Sequence, residues 1–175
     1  QAIEWFDLSG VGRSPARFDF QKLDSLNGHY LRQADNARLV DLVAPQVEKI
    51  VGGPLDAAAR ERLARGMNGL KERAKTVREL ADSAAFYARR RPLTISAKAA
   101  ELLSGADDRL GALAARLAAE TDWSAPALEA TARRFADAET LKLGQVAQPL
   151  RAALTGEGVS PPIFEVLAVL GREES

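Results

Sequence analysis

The sequence predicts an all-α protein, a bundle of about nine short helices. Three observations predict it. Ala (33 residues) and Leu (23) fill nearly a third of the 175 positions, and both are strong helix formers. Aromatic residues make up only 6%, and no segment alternates apolar and polar residues as a half-buried strand would. Apolar residues instead recur three and four apart, between residues of the kinds that start and stop helices.

The elements follow in order. Residues 1–6 read as the end of an upstream segment, and Ser9-Gly10-Val11-Gly12-Arg13-Ser14-Pro15 reads as a loop from its Gly, Ser and Pro content. Asp19 is the N-cap candidate of a first helix carrying Phe20, Leu23, Leu26, Tyr30 and Leu31. Asp35 or Asn36 caps a second, expected to end at Ala44 before Pro45, and a short apolar stretch over 46–51 ends at Gly52-Gly53. A helix over 56–69 follows Pro54 and stops near Asn68-Gly69. Another is expected from Lys71 to Arg89, burying Val77, Leu80, Ala81, Ala84, Ala85 and Tyr87. Ser96 opens a helix to Leu103, and Asp107 or Asp108 opens one to Glu120. Ser124 and Pro126 start a helix over 125–138. Leu143–Leu154 is helical up to Thr155-Gly156, and Ser160-Pro161 starts the last helix, ending near Leu170-Gly171. Helices this short are unstable alone, so mutual packing of their Leu/Ala faces must hold them.

Composition excludes several chemistries. The chain has no Cys and one His, His29, so disulfides, thiolate zinc sites, a Cys nucleophile and any two-His motif are absent. No apolar run approaches the ~18 residues of a membrane-spanning helix. The adjacent carboxylates Asp107-Asp108 and Glu173-Glu174 diverge on a helix and read as dipole complements or surface charge. His29 reads as a helix-surface or packing residue, and no Gly-rich loop has the context of a phosphate cradle. No metal site and no catalytic residue is expected. The start Gln-Ala-Ile-Glu-Trp-Phe is neither a signal peptide nor a natural start, which suggests a piece of a longer protein.

Net charge is zero, but its distribution is uneven. Residues 60–98 carry net +7, against −2 for residues 1–59 and −5 for residues 99–175. Eighteen of the 24 basic residues are Arg, whose planar donor fork suits phosphates and base edges. Codon usage in a GC-rich genome explains an Arg excess, but not its concentration in the middle third. Lys71–Leu80 reads either as a solvated helix face or as a basic helix start facing RNA. Arg89-Arg90-Arg91 reads as a complement to a helix C-terminus. Residues 148–173, with Pro149, two Gly breaks and the pair Pro161-Pro162, suggest a shaped loop.

The string Gly144-Gln145-Val146-Ala147-Gln148-Pro149-Leu150-Arg151-Ala152-Ala153-Leu154-Thr155-Gly156, followed by Ser160-Pro161, Phe164-Glu165-Val166-Leu167 and Leu170-Gly171, resembles the C-terminal end of bacterial glutamyl-tRNA synthetases. Ser14-Pro15-Ala16-Arg17-Phe18-Asp19, with Lys22-Leu23 and Leu26-Asn27, is similar to the segment that follows the catalytic K-M-S-K-S-type loop of those enzymes. Arg73-Ala74-Lys75-Thr76-Val77-Arg78-Glu79-Leu80 and Trp123 fall between them in the expected order. The resemblance covers nearly the whole chain.

It implies the helical anticodon-binding domain of a class I aminoacyl-tRNA synthetase over residues 53–175, preceded by a stem-contacting, connecting segment over residues 1–52. The implied partner is glutamate tRNA, through its anticodon loop and stem. DNA and membrane are not implied, and a cytoplasmic monomer is expected. The H-I-G-H and K-M-S-K-S motifs of the catalytic domain are missing. The chain alone is therefore expected to need no cofactor and to form no glutamyl-adenylate, while the full-length parent would use ATP with Mg. By the resemblance, Arg73 reads the third anticodon base. Arg151, Ser160, Pro161 and Ile163 match positions near the first two bases, with Gln148 and Leu150 as further candidates. Ser160 would hydrogen-bond a base edge, and Pro161 and Ile163 would offer an apolar surface to unstacked bases. The competing reading is a helical scaffold for protein–protein interaction, consistent with zero net charge and the generic Ala/Leu pattern.

Overall fold

The computed structural model describes residues 4, 7, 9 and 17–175. The expected loop over 9–15, apart from Ser9, and the Ser14-Pro15-Ala16 part of the motif lie outside the described residues. Nine α-helices and one 3-10 turn, with no strand, are found among them.

Side-chain caps set most helix starts, at Asp19, Asp35 and Ser96 as the sequence indicates and at Asp56 and Thr76 in addition. Asp19 caps α1 (Phe20–Gln33), Asp35 caps α2 (Asn36–Val51) and Asp56 caps α3 (Ala57–Lys71), each accepting a backbone N–H at 2.7–3.1 Å. Thr76 caps α4 (Val77–Ala84), which runs into a 3-10 turn at Ala85–Tyr87. Ser96 caps α5 (Ala97–Leu103). α6 (Asp107–Ala118) carries Asp107 and Asp108 in its first turn, beside the helix's unpaired N–H groups. α7 (Ala125–Ala138) has Pro126 in its first turn. α8 (Leu143–Thr155) and α9 (Ile163–Leu170) complete the chain.

Three expectations about helix ends are corrected. α2 does not stop at Ala44 but continues through Pro45 to Val51. Pro45 and Asp41, whose carbonyl loses its partner, both lie on the exposed face. The opposite face buries Leu39, Val40, Val43, Ala44 and Val47, at roughly 1.5–3 kcal/mol per large apolar side chain. That burial outweighs the missing bond. α3 runs past Asn68-Gly69 to Lys71.

The single helix expected over 71–89 is instead a turn at 72–76, α4 and the 3-10 turn. Thr76 Oγ1 accepts from Glu79 N at 3.1 Å, and Glu79 Oε2 accepts from Lys75 N at 2.8 Å. The Thr76 cap, with Glu79 also holding the N–H of the residue before it, makes Thr76 a helix start. At the other end the tighter 3-10 turn lets the adjacent Phe86 and Tyr87 both enter the interior, with ring centroids 4.2 Å apart. Thr76→Ala is expected to lower stability by about 1 kcal/mol, read as a shift of the urea midpoint at unchanged slope.

Packing forms two halves around one continuous core. α2 lies on α3 and α4, and α1 touches α3. In the second half α7 packs on α6, α8 and α9, and α5 packs on α8. α9 also packs on α3 and joins the halves. Leu63, Met67, Leu80, Leu128, Val146 and Leu167 are among the side chains removed from solvent. α1 is helical as its spacing indicates, yet Phe20, Leu23, Leu26 and Tyr30 face outward and only Gly28 and Leu31 are buried.

Candidate nucleic-acid interface

Three irregular segments meet on one side of the joint between the halves: the turn at 72–76, the connector at 88–96 and the loop at 156–162. Arg73 stands on the first. The third starts where α8 ends at Gly156, whose φ is +74°. A Cβ there would lie 2.4 Å from the Thr94 carbonyl oxygen, so a glycine lets loop and connector touch. Ser96 N donates to Gly156 O at 2.9 Å and seals the contact. Thr155 Oγ1 donates to Arg151 O at 2.8 Å and accepts from Glu157 N at 3.1 Å, turning the chain out of the helix. Arg89 in the connector pairs with Glu157 at 3.3 Å. Pro161 lies over α3 at Gly69, where a Cβ would come within 3.2 Å of its ring.

Ser160 sits at the centre. Arg73 donates from its guanidinium to the Ser160 carbonyl. Arg151 Nε donates to Ser160 Oγ at 3.0 Å, and its NH1 donates to Gln148 Oε1 at 2.8 Å. The Ser160 hydroxyl spends its one proton on the Pro161 carbonyl at 2.8 Å. Two guanidinium groups from opposite halves are thus brought to one residue. Burial, and secondly the positive charge of Arg73, pull the Arg151 pKa below the usual arginine value. Neither Arg73 nor Arg151 has a carboxylate partner among the described residues. Each guanidinium has five N–H donors, and most remain unused. The site is built to receive acceptors.

Pro149 is compatible with this helix for an identifiable reason. It leaves the Gln145 carbonyl without its helical partner, and Arg109 of α6 donates to that oxygen at 3.2 Å. Residues 148–155 are therefore helical, and the shaped loop starts at Gly156 rather than at Pro149.

The basic excess of residues 60–98 sorts itself by partner. Arg62 and Arg65 donate to the Tyr87 and Ala168 carbonyls, and Lys71 turns back to the Ala34 carbonyl at 3.0 Å. Arg60 pairs with Asp41 and Glu48 of α2, Lys98 pairs with Glu101 one turn along its own helix, and Arg91 and Arg62 share Glu174. Arg73, Lys75, Arg78 and Arg90 are without a carboxylate partner among the described residues. Three of these four stand on the turn at 72–76 or the first turn of α4.

The structure brings Arg73, Arg151, Gln148, Ser160 and Pro161 together. It places the other two differently. Leu150 and Ile163 are buried in the core, and the apolar surface expected from Pro161 and Ile163 is not exposed, because both are buried. They hold the loop from beneath. Exposed apolar surface comes instead from Val159, 78% exposed. Beside Arg73 a cleft of about 210 Å³ is lined by Leu70, Asp82, Phe86, Arg89, Glu157 and Val159, together with Ser160 and Pro161. Arg89, Asp82 and Val159 were missed in the sequence. An Arg run near a helix end and a lone Asp on a helix carry no signal of their own, and only the meeting of three distant segments places them.

Elsewhere, His29 is exposed and meets Tyr30 edge-on at 5.6 Å. Trp123 donates to the Leu167 carbonyl at 3.2 Å under the Arg172 guanidinium, a packing role. No group of three or more His, Cys, Asp or Glu placed to hold a metal occurs among the described residues, and no helix there is long and apolar enough to cross a membrane.

Comparison with known proteins places the chain in a family. The family model described as "Anticodon binding domain" matches residues 38–175. The chain is 57% identical over 176 residues to glutamate–tRNA ligase 2 of Rhizorhabdus wittichii, covering all of this chain and 37% of that protein. It is 56% identical to glutamate–tRNA ligase 2 of Rhodospirillum centenum, covering 38% of it. Among solved structures, a glutamate tRNA ligase from Elizabethkingia meningosepticum, in complex with its amino acid, superposes with a TM-score of 0.75 at 25% identity. That match covers 98% of this chain and 34% of the other. The chain thus spans less than two fifths of the length of these relatives.

Proposed function

Because the chain belongs to the anticodon-binding domain family, we propose that it is the part of a glutamate–tRNA ligase that recognises glutamate tRNA through its anticodon. In this reading residues 53–175 bind the anticodon loop and residues 1–52 contact the stem. ATP use and glutamate transfer belong to the longer protein, and this chain acts as a monomer without a cofactor. The observation that carries the reading is the meeting of Arg73 and Arg151 at Ser160, with their spare donors unopposed by carboxylate partners.

The chemistry follows from donor and acceptor counting. Single-stranded loops are recognised by splayed bases that present their pairing edges. Cytosine at the third anticodon position offers O2 and N3 as acceptors to Arg73, whereas guanine turns N1–H and N2–H donors toward the same guanidinium. Arg151, held by Gln148 and Ser160, supplies donors near the first two bases. Lys75, Arg78 and Arg90 supply charge for phosphates.

The test is binding of the 175-residue chain to tRNA transcripts that differ only in the anticodon. Preference for the glutamate anticodon is expected, and equal affinity for all transcripts would sink the proposal. Salt provides a further prediction. If about three phosphates are neutralised, affinity should fall roughly twentyfold to fortyfold between about 50 and 200 mM salt. An affinity indifferent to salt would favour the protein-scaffold reading.

A further inference from the structure

The cleft beside Arg73 has one feature that phosphate binding does not explain. It carries carboxylates on its wall, Asp82 on α4 and Glu157 on the loop at 156–162. Glu157 is paired with Arg89 at 3.3 Å. Asp82 is exposed and has no hydrogen bond or ion pair among the described residues. An uncompensated carboxylate repels an RNA backbone, so its place on the wall of a nucleic-acid cleft has to be offset by something a phosphate does not offer. A ligand with a hydrogen-bond donor supplies it.

Resting on the anticodon reading above, we propose that Asp82 is a specificity-determining residue. It accepts a hydrogen bond from the exocyclic amino group of the cytosine whose O2 and N3 face Arg73. The cleft, about 210 Å³ and lined also by Leu70 and Phe86, has room for a single pyrimidine. Among the lining residues Arg73 can donate and Asp82 can accept. The pairing edge of cytosine runs N4–H donor, N3 acceptor, O2 acceptor, so it needs one acceptor and a set of donors, the types that Asp82 and Arg73 supply. Uracil places the O4 acceptor where cytosine has its amino group, so O4 and the carboxylate would repel. Guanine entering from the same backbone direction places O6 there. Asp and Glu accept from cytosine N4 by the same complementarity in duplex readout. Arg73 supplies the donors for O2 and N3, and Asp82 adds discrimination against the keto bases. A base entering the cleft would also be shielded from solvent by Val159.

The experiment uses the 175-residue chain and three tRNA transcripts with C, U or G at the third anticodon position. Binding is measured for the unsubstituted protein, Asp82→Asn and Asp82→Ala. Asp82→Asn should lower the C-over-U preference roughly tenfold to a hundredfold, the worth of one base-edge contact. Its amide can rotate to donate to O4, so affinity for the U transcript should rise. Asp82→Ala should lower the same ratio chiefly by weakening C. If Asp82 acts only as a negative charge, both substitutions strengthen all three transcripts alike and leave the ratio unchanged, which overturns the assignment alone. If the unsubstituted protein binds none of the transcripts, the anticodon reading falls and this assignment falls with it.

Discussion

Arg73→Gln is expected to lower the preference for C over G at the third anticodon position by roughly tenfold to a hundredfold, from the ~1–3 kcal/mol of one base-edge contact. The guanidinium offers only donors, and one of them already holds the Ser160 carbonyl. A Gln amide carries both a donor and an acceptor, so it can meet either base. It is also shorter, so the tie between the turn at 72–76 and the loop at 156–162 weakens, and some affinity for every transcript is lost with it. The decisive quantity is therefore the ratio of the two affinities. If Arg73 contacts a phosphate instead, both transcripts weaken equally and the salt slope falls by about one unit. Arg73→Lys separates charge from geometry: it keeps the cation but not the planar fork, so it should retain the salt slope and lose most of the base preference. An Arg73→Gln protein with the C/G ratio of the parent would remove Arg73 from base reading.

Gly156→Ala is expected to destabilise the protein by about 2–5 kcal/mol. Part of this is the left-handed backbone at φ +74°, which costs an L-residue roughly 1–2 kcal/mol. The rest is steric, comparable to overpacking a core at about 1–3 kcal/mol. The added methyl would sit 2.4 Å from a backbone oxygen, that of Thr94, and backbone cannot swing aside as a side-chain tip does. The connector at 93–96 has to retreat, and the Ser96 N–Gly156 O bond of 2.9 Å goes with it. Thermal unfolding should show a Tm lower by roughly 5–15 °C for a chain of this length. The loop that presents Ser160 hangs from this junction, so anticodon discrimination should fall as well. A Tm within about 1 °C of the parent would mean that loop and connector are not in contact.

The helical fold was legible because its signals are local. Asp19, Asp35 and Ser96 announce their helices by side-chain bonds within three residues, and Gly156 ends α8 by its own backbone freedom. The resemblance to glutamyl-tRNA synthetases was legible for the same reason, since contiguous strings such as Gly144–Gly156 carry it. The break at 72–76 follows from a local cap at Thr76 that the sequence reading passed over, whereas at two prolines a local signal is overruled from elsewhere. Pro45 should stop a helix, but the stripe from Leu39 to Val47 is buried against α3 and α4, and the lost bond falls on the solvent-exposed face. Pro149 should kink one, but Arg109, forty residues earlier, takes up the freed carbonyl.

The site was legible only in part. Arg73, Arg151, Ser160 and Gln148 belong to strings that the sequence displays, and they converge. That Arg73 and Arg151 meet at a single residue was not written in either string, because 87 positions separate Arg73 from Ser160. Nor does the sequence show which arginines are spoken for. The net +7 of residues 60–98 is a property of composition alone. Its reduction to Lys75, Arg78 and Arg90, with Arg73 keeping spare donors beyond its bond to the Ser160 carbonyl, depends on carbonyls and carboxylates supplied from the rest of the fold, such as Ala168 for Arg65 and Glu174 for Arg62 and Arg91. The sequence by itself determined the helices, their caps and the family, because these rest on bonds between near neighbours and on contiguous residues. Only the tertiary structure decided which side chains are free to meet a ligand, because a donor is free or occupied according to what distant segments bring beside it.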